Sequence, residues 1–314
     1  MDSSKVPEEK LTRTTTVQET VPESVEPPVP RSMPKLNKSP LHGLWALTLR
    51  DLRKWYTNPY QLLISLIQPV VWLGIFGKAL NFGTFISQSG ASPAVQNQIL
   101  LSTFGTKSYF SFLSVGMLAS IILFTAAFSG MSVVFDRRFG FLNKALSTPV
   151  SRGAIVVSKV LQSGVRSLIQ AGMVLLIAVV LGMDVSNFSV IGLLGAFTLL
   201  FFMGFALSSL FVTLALRSSD WQTQMAIINL LNLPLLFASN ALFPVKIMPT
   251  WLQYVVKFNP VSYAIDGARQ LLLGTAGVPS GIYNPLWLDF TVITAFAVAL
   301  TAVGVVMSWK LLTK

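Results

Sequence analysis

The sequence predicts an all-α membrane protein with six transmembrane helices. Three observations carry that expectation. Six runs hold no ionised side chain: residues 55–77, 108–135, 167–183, 185–216, 221–245 and 290–309. A bilayer core takes about 20 apolar residues in helical form, and every run is near or above that length. The chain is 53% hydrophobic and only 11% charged over 314 residues, where a soluble domain carries about 25% charged residues. Finally, Lys and Arg gather in alternate connections between the runs, as cytoplasmic loops do.

In chain order, residues 1–40 are a separate compositional unit. The stretch VQETVPESVEPPVPRSMPK is rich in Pro, Glu, Ser and Val and lacks aromatics. It cannot bury enough apolar surface to offset chain entropy, so a disordered cytoplasmic tail is predicted. No apolar core follows an early basic region, so this stretch is not expected to act as a signal peptide. From 41 to 57 an amphipathic interface helix is expected. Leu41, Leu44, Trp45, Leu52, Trp55 and Tyr56 share a face interrupted by Thr48, and Arg50, Arg53 and Lys54 supply cations. Trp beside Arg and Lys suits a membrane interface. Asn58-Pro59 ends this helix.

The six spans are placed at about 60–80, 110–135, 163–183, 190–216, 222–243 and 288–309. Arg31, Lys35, Lys38, Arg50, Arg53 and Lys54 precede the first span. Arg137, Arg138, Lys144, Arg152, Lys159 and Arg166 lie between the second and third, and Lys310 and Lys314 end the chain. This pattern predicts a multi-pass protein of the cell membrane with both termini in the cytoplasm. The net charge of +11 is then assigned to anionic lipid headgroups and not to nucleic acid. The predicted membrane cores hold no ionisable residue, and such groups are normally retained there only for function. Asp184 and Asp289 fall at span ends and are expected to face solvent. Gln68, Ser129, Asn229 and Asn232 would bond between helices or line a mildly polar path. With no cysteine and His42 as the single histidine, neither disulfides nor a metal site is predicted.

Two loops are informative. In SVVFDRRFGFLNKALSTPVSRGAIVVSKVLQ, Phe135, Phe139, Leu142 and Leu146 recur at helical spacing, and Thr148-Pro149 ends the pattern. Ser151 is placed to cap the following helix. On the residues alone this is a short amphipathic helix at the membrane surface. The second loop carries WLQYVVKF after Pro249-Thr250, with Trp251 at its start, and VSYAIDGARQLLLG after Asn259-Pro260. Asp266 and Arg269 are spaced to pair, and Gly274 is placed as a C-cap. Two helices this short either dip into the outer leaflet and return, or lie flat on it.

The stretch DRRFGFLNKALSTPVSRGAIVVSK resembles the cytoplasmic coupling segment of the type-2 ABC exporter permeases. LTLRDLRKWYTNPYQLLISLIQPVVWLGIFG is similar to that family's interface helix and first span. LFPVKIMPTWLQYVVKFNPVSYAIDGARQLLLG is similar to its last long loop. The likeness covers residues 41–314 and is nearest in character to drug and polyketide-antibiotic export permeases. It departs at DRR, where a Glu-Arg-Glu pattern is more usual. The resemblance implies a permease moving a hydrophobic or amphipathic cargo outward. It implies an ATPase-coupling role for Asp136, Arg137, Arg138, Phe139, Gly140, Leu142, Leu146 and Pro149. It implies interface-helix roles for Trp45, Arg50, Arg53 and Trp55. It also implies an outer re-entrant pair bearing Pro249, Trp251, Asn259, Pro260, Asp266 and Arg269. The chain contains no G-x-x-x-x-G-K-[ST], since GIFGKAL has the wrong spacing. It is therefore expected to be no enzyme and to carry no cofactor: ATP-Mg would be bound by a separate ATPase, two copies of which join two permeases. A polysaccharide or glycolipid permease of the same family, or a non-transporting membrane scaffold, stays open as an alternative.

Overall fold

Long uncharged runs with few interior prolines form helices over most of their described length. The computed structural model describes residues 40–79, 88, 90, 92–147, 150–218, 220–274 and 284–311. Residues 1–39 of the tail expected over 1–40 and the expected coupling residue Pro149 lie outside the described residues, and Pro40 opens the first helix.

The helices run as α1 (Pro40–Tyr56), α2 (Pro59–Gly74, continued by a π turn Ile75–Ala79), α3 (Pro93–Phe104), α4 (Tyr109–Arg138) and α5 (Phe141–Leu146). They continue as α6 (Arg152–Val180), α7 (Val190–Ala215), α8 (Trp221–Phe237), α9 (Thr250–Phe258), α10 (Pro260–Leu273) and α11 (Leu286–Leu311). Among the described residues, four helical stretches are long and apolar enough to cross a membrane: 93–138 (α3 with α4), α6, α7 and α11. The chain is thus an all-α membrane protein. At 16 and 17 residues, α2 and α8 are shorter.

Side chains cap several helix starts. Ser151 Oγ accepts from Ala154 N (3.2 Å) as expected, Ser189 Oγ from Gly192 N (2.9 Å), and Asp220 Oδ1 from Thr223 N (2.7 Å). That backbone hydrogen bond from Thr223 holds the Asp220 carboxyl below its usual range. Gly274 ends α10 in the left-handed region, φ 64°, matching the expected C-cap.

At the centre stands α4, apolar on all sides and buried along most of its length. It packs against α7, α6, α8, α10 and α2. Two glycines permit the closest approaches. A Cβ at Gly116 would lie 2.0 Å from the Ala241 carbonyl oxygen, and one at Gly130 would lie 2.5 Å from that of Phe211. Small residues of this kind let backbones meet where lipid offers no hydrophobic drive to association.

Helix α6 starts at Arg152 and carries Lys159 and Arg166 on one continuous 29-residue helix, as the expected Ser151 cap implies. Three expectations are corrected. Residues 93–104 form a helix where a long polar loop was expected, stopped by Gly105 at φ 73°. Helix α8 ends at Phe237, after Pro234, and residues 238–244 are irregular. Asp289 is fully buried instead of facing solvent, because α10 and α7 close over the first turn of α11: a Cβ on Gly267 would meet Leu199 at 2.5 Å and Asp289 Oδ2 at 3.2 Å. Asp184 does face solvent, and the Ser186 backbone N–H holds its carboxyl below the usual range.

Candidate functional site

The connection between α4 and α6 carries the candidate coupling residues. Gly140, at φ 72°, breaks α4 from the short helix α5. Helix α5 then turns one face inward. Leu142 and Ala145 are buried and cluster with Ile155 of α6, with Leu47, Phe141, Leu146 and Val150 packed around them. The expected stripe therefore splits. Leu142 faces α1 and α6, whereas Phe139 is 78% exposed, its ring stacked on Phe135 at 6.1 Å between centroids. Arg138, Asn143, Lys144 and Ser147 are exposed beside it. Arg137 takes another role: its guanidinium donates to the carbonyls of Leu216 (2.8 Å) and Ser218 (2.9 Å), satisfying the end of α7.

Beneath α5 four charges meet. Lys159 Nζ on α6 lies 2.6 Å from Asp51 Oδ2 on α1 and 2.5 Å from Asp136 Oδ2 on α4. Arg50 pairs with Asp51 and lies 3.7 Å from Asp136, with its guanidinium 3.5 Å above the Phe141 ring. Three helices and α5 are thereby pinned at one point. The side chains are mostly buried, so solvent screens these pairs little. Nothing in the sequence joins Asp51 to Lys159: Asp51 is one more charge in a basic region, and Lys159 closes the stretch that resembles the coupling segment without a partner near it in sequence.

Helix α1 has two apolar faces where one was expected. Thr48 and Trp55 are buried, and Thr48 Oγ1 donates to the Leu44 carbonyl (2.9 Å), so the supposed interruption belongs to the packed face. Trp45, Leu49 and Tyr56 are exposed, as is Arg53.

At the far end, residues 239–242 and 244 are buried without forming a helix, while Phe243 stays exposed. Such backbone is tolerated at membrane depth only when protein satisfies its polar groups. Asn259 Nδ2 donates to the carbonyls of Leu235 (2.8 Å) and Ala238 (2.7 Å), while its Oδ1 accepts from Val261 N (3.0 Å) and caps α10. Arg269 donates to the carbonyls of Phe112 (3.2 Å) and Ala241 (3.1 Å), its guanidinium 3.5 Å from the Phe112 ring centroid. Asp266 takes different partners: its Oδ2 accepts from Asn284 N (3.1 Å) and Gln270 Nε2 (3.1 Å). Gln270 Nε2 also lies 3.5 Å from Asp289 Oδ2. Burial pushes the Asp266 carboxyl up to about 6. The expected Asp266–Arg269 pair is thus replaced by separate bonds to backbone and amide. Helix α10 is sunk against α7, α11 and α4. On α9, Trp251, Tyr254 and Phe258 remain exposed, the last just before Asn259-Pro260. Pro249 starts α9 and Pro260 starts α10.

Between these ends, a hydrogen-bond chain links three helices. Thr125 Oγ1 on α4 donates to Gln170 Oε1 on α6 (2.6 Å), and Gln170 Nε2 donates to Ser65 Oγ on α2 (2.5 Å).

Comparison with known proteins decides the family. The ABC-2 type transporter family matches residues 42–273. The chain belongs to the ABC-2 type transporter family. It is 35% identical over 227 residues to ycf38 of Pyropia yezoensis, named as a transport permease, covering 72% of each chain. It is 25% identical over 219 residues to the daunorubicin resistance ABC transporter permease protein DrrB1 of Streptomyces coeruleorubidus, covering 70% of this chain and 71% of that one. It is 26% identical over 215 residues to nodulation protein J of Rhizobium leguminosarum bv. trifolii, covering 68% and 74%. The chain is therefore a non-catalytic membrane permease component of an ABC transporter system, as the coupling-segment resemblance implied.

Proposed function

We propose that this permease exports a hydrophobic or amphipathic cargo, of the drug-like or lipid kind, by pairing with a second copy and with two ATPase subunits. The relative named for daunorubicin resistance supports the cargo class. Six spans are assigned: α2 with its π turn, α4, α6, α7, α8 and α11. Pro59–Ala79 is about as long as a bilayer core requires, and α8 is completed by the segment 238–244, buried except at Ala238 and Phe243. The basic connections at α1 and α5 then lie in the cytoplasm with both termini, and α9–α10 dip into the outer leaflet as a cap over the path.

The observation that carries the coupling reading is Phe139. An exposed phenylalanine at the tip of a basic connection, with its neighbours Leu142 and Ala145 turned inward, needs an apolar pocket on a partner. A short helix presented to a groove is an established recognition mode. Force applied at the tip passes through the Arg50–Asp51–Asp136–Lys159 cluster into α1, α4 and α6 together. That rigid block can move as a unit between two arrangements biased by nucleotide. Phe139→Ser should abolish co-purification of the ATPase subunit with only a small change in the permease's melting temperature, because the one ring contact it removes is the exposed stack on Phe135. Full ATPase retention in Phe139→Ser would refute the assignment.

A further inference from the structure

Arg166 lies seven residues beyond Lys159 on the same helix, about 10 Å further into the bundle. It is half-buried, and its Nε is buried with no hydrogen-bond partner. The nearby carboxylates are taken: Asp51 and Asp136 bind Lys159 and Arg50. The small cavity that Arg166 shares with Asp51, Lys54, Asp136 and Lys159 holds three cations against two anions. One face of the guanidinium is covered by the Trp55 ring, 5.4 Å from its centroid.

Arg166 also lines a cleft of about 660 Å³ between α2, α4 and α6. That is the size of a site for a drug-sized molecule. Ile64, Phe124, Phe128 and Phe135 make its walls apolar, and Gln68 and Ser132 add neutral polar groups. An ionised group kept at membrane depth marks function by default, and leaving it without a counterion is costly. A guanidinium matches two oxygens of a phosphate, sulfate or carboxylate at once.

We infer that this cleft binds an amphipathic anion, its acidic head on Arg166 and its apolar tail along α2 and α4. The inference rests on the export reading and names the cargo class for it: a phosphate-, sulfate- or carboxylate-headed amphiphile. A membrane phospholipid headgroup shares that chemistry.

The test uses the purified full-length permease in phosphatidylcholine nanodiscs, without ATPase, against empty discs. Dodecyl phosphate and dodecyltrimethylammonium, with the same tail and opposite charge, are titrated while tryptophan fluorescence is followed. Dodecyl phosphate should bind saturably and roughly tenfold more tightly. Arg166→Gln should erase that preference, and Arg166→Lys should keep part of it. Repeating the titration in phosphatidylglycerol-containing discs separates the sources. Loss of dodecyl phosphate binding there identifies the lipid headgroup as occupant, whereas unchanged binding identifies a free amphiphile. Equal binding of both amphiphiles by the unaltered protein, no saturable binding, or an intact preference in a folded Arg166→Gln protein would overturn the inference. If Arg166→Gln does not fold, the unaltered protein's choice between the two amphiphiles still decides. Since no ATPase is present, failure here leaves the Phe139 coupling reading standing, and failure of that reading leaves this result intact.

Discussion

The two ends of the bundle handle charge in opposite ways. At the basic end, Lys159 and Arg50 are set against Asp51 and Asp136, so charge meets charge across three helices. At the far end, Arg269 meets backbone carbonyls and Asp266 meets amide N–H groups. The first arrangement joins helices that are each complete without it, so it tunes how they move together. The second supplies hydrogen bonds that an unwound backbone lacks, so the fold itself depends on it. Substitutions at the far end should act on folding, and those at the basic end on coupling.

Gly116→Val tests the far end most severely. Its side chain would occupy the space of the Ala241 carbonyl, and no rotamer relieves a backbone clash. Loss of folded, monodisperse protein is expected. Near-normal yield would mean that segment 238–244 moves freely away from α4.

Arg269→Gln comes next. It strips donors from two buried carbonyls, at about 1–3 kcal/mol each. A large drop in melting temperature should accompany lost export, with any surviving folded fraction still binding the ATPase. Loss of ATPase binding with unchanged melting would reverse the contrast between the ends.

Lys159→Met has the smaller structural and the sharper functional effect. It leaves two carboxylates facing each other with Arg50 alone, and the cost stays below the roughly 3–5 kcal/mol of a fully buried broken pair because Arg50 still offsets one charge and is partly exposed. Adding Asp136→Asn should restore part of the loss, because the remaining charges then balance. Strict additivity of the two changes would show that the pair does not couple α4 to α6.

Much of the fold is legible from charge spacing. The uncharged runs locate α4, α6, α7 and α11, and the proline and serine signals locate the starts of α6 and α10. What stays hidden depends on contacts distant in sequence. Lys159 and Arg166 fall on the helix that Ser151 is expected to cap, but nothing local pairs Lys159 with Asp51 and Asp136. Asp289 looks like an exposed span end until Gly267 lets α10 close over it. Leu142 and Phe139 share a stripe by spacing, yet Gly140 breaks the helix between them and turns them to different surroundings. The early end of α8 follows from Pro234, but the stitching of 238–244 by Asn259 and Arg269 has no local signature.

The central claim is that the Phe139 tip, and not the aromatic face of α9, meets the ATPase. A photo-crosslinking phenylalanine analogue placed at residue 139 or at residue 258 tests it directly, since both side chains are exposed, at 78% and 88%. With the ATPase subunit co-expressed in intact cells, irradiation should yield a permease–ATPase adduct from position 139 and none from position 258. An adduct from position 258, or none from position 139 while the complex still co-purifies, would contradict the account.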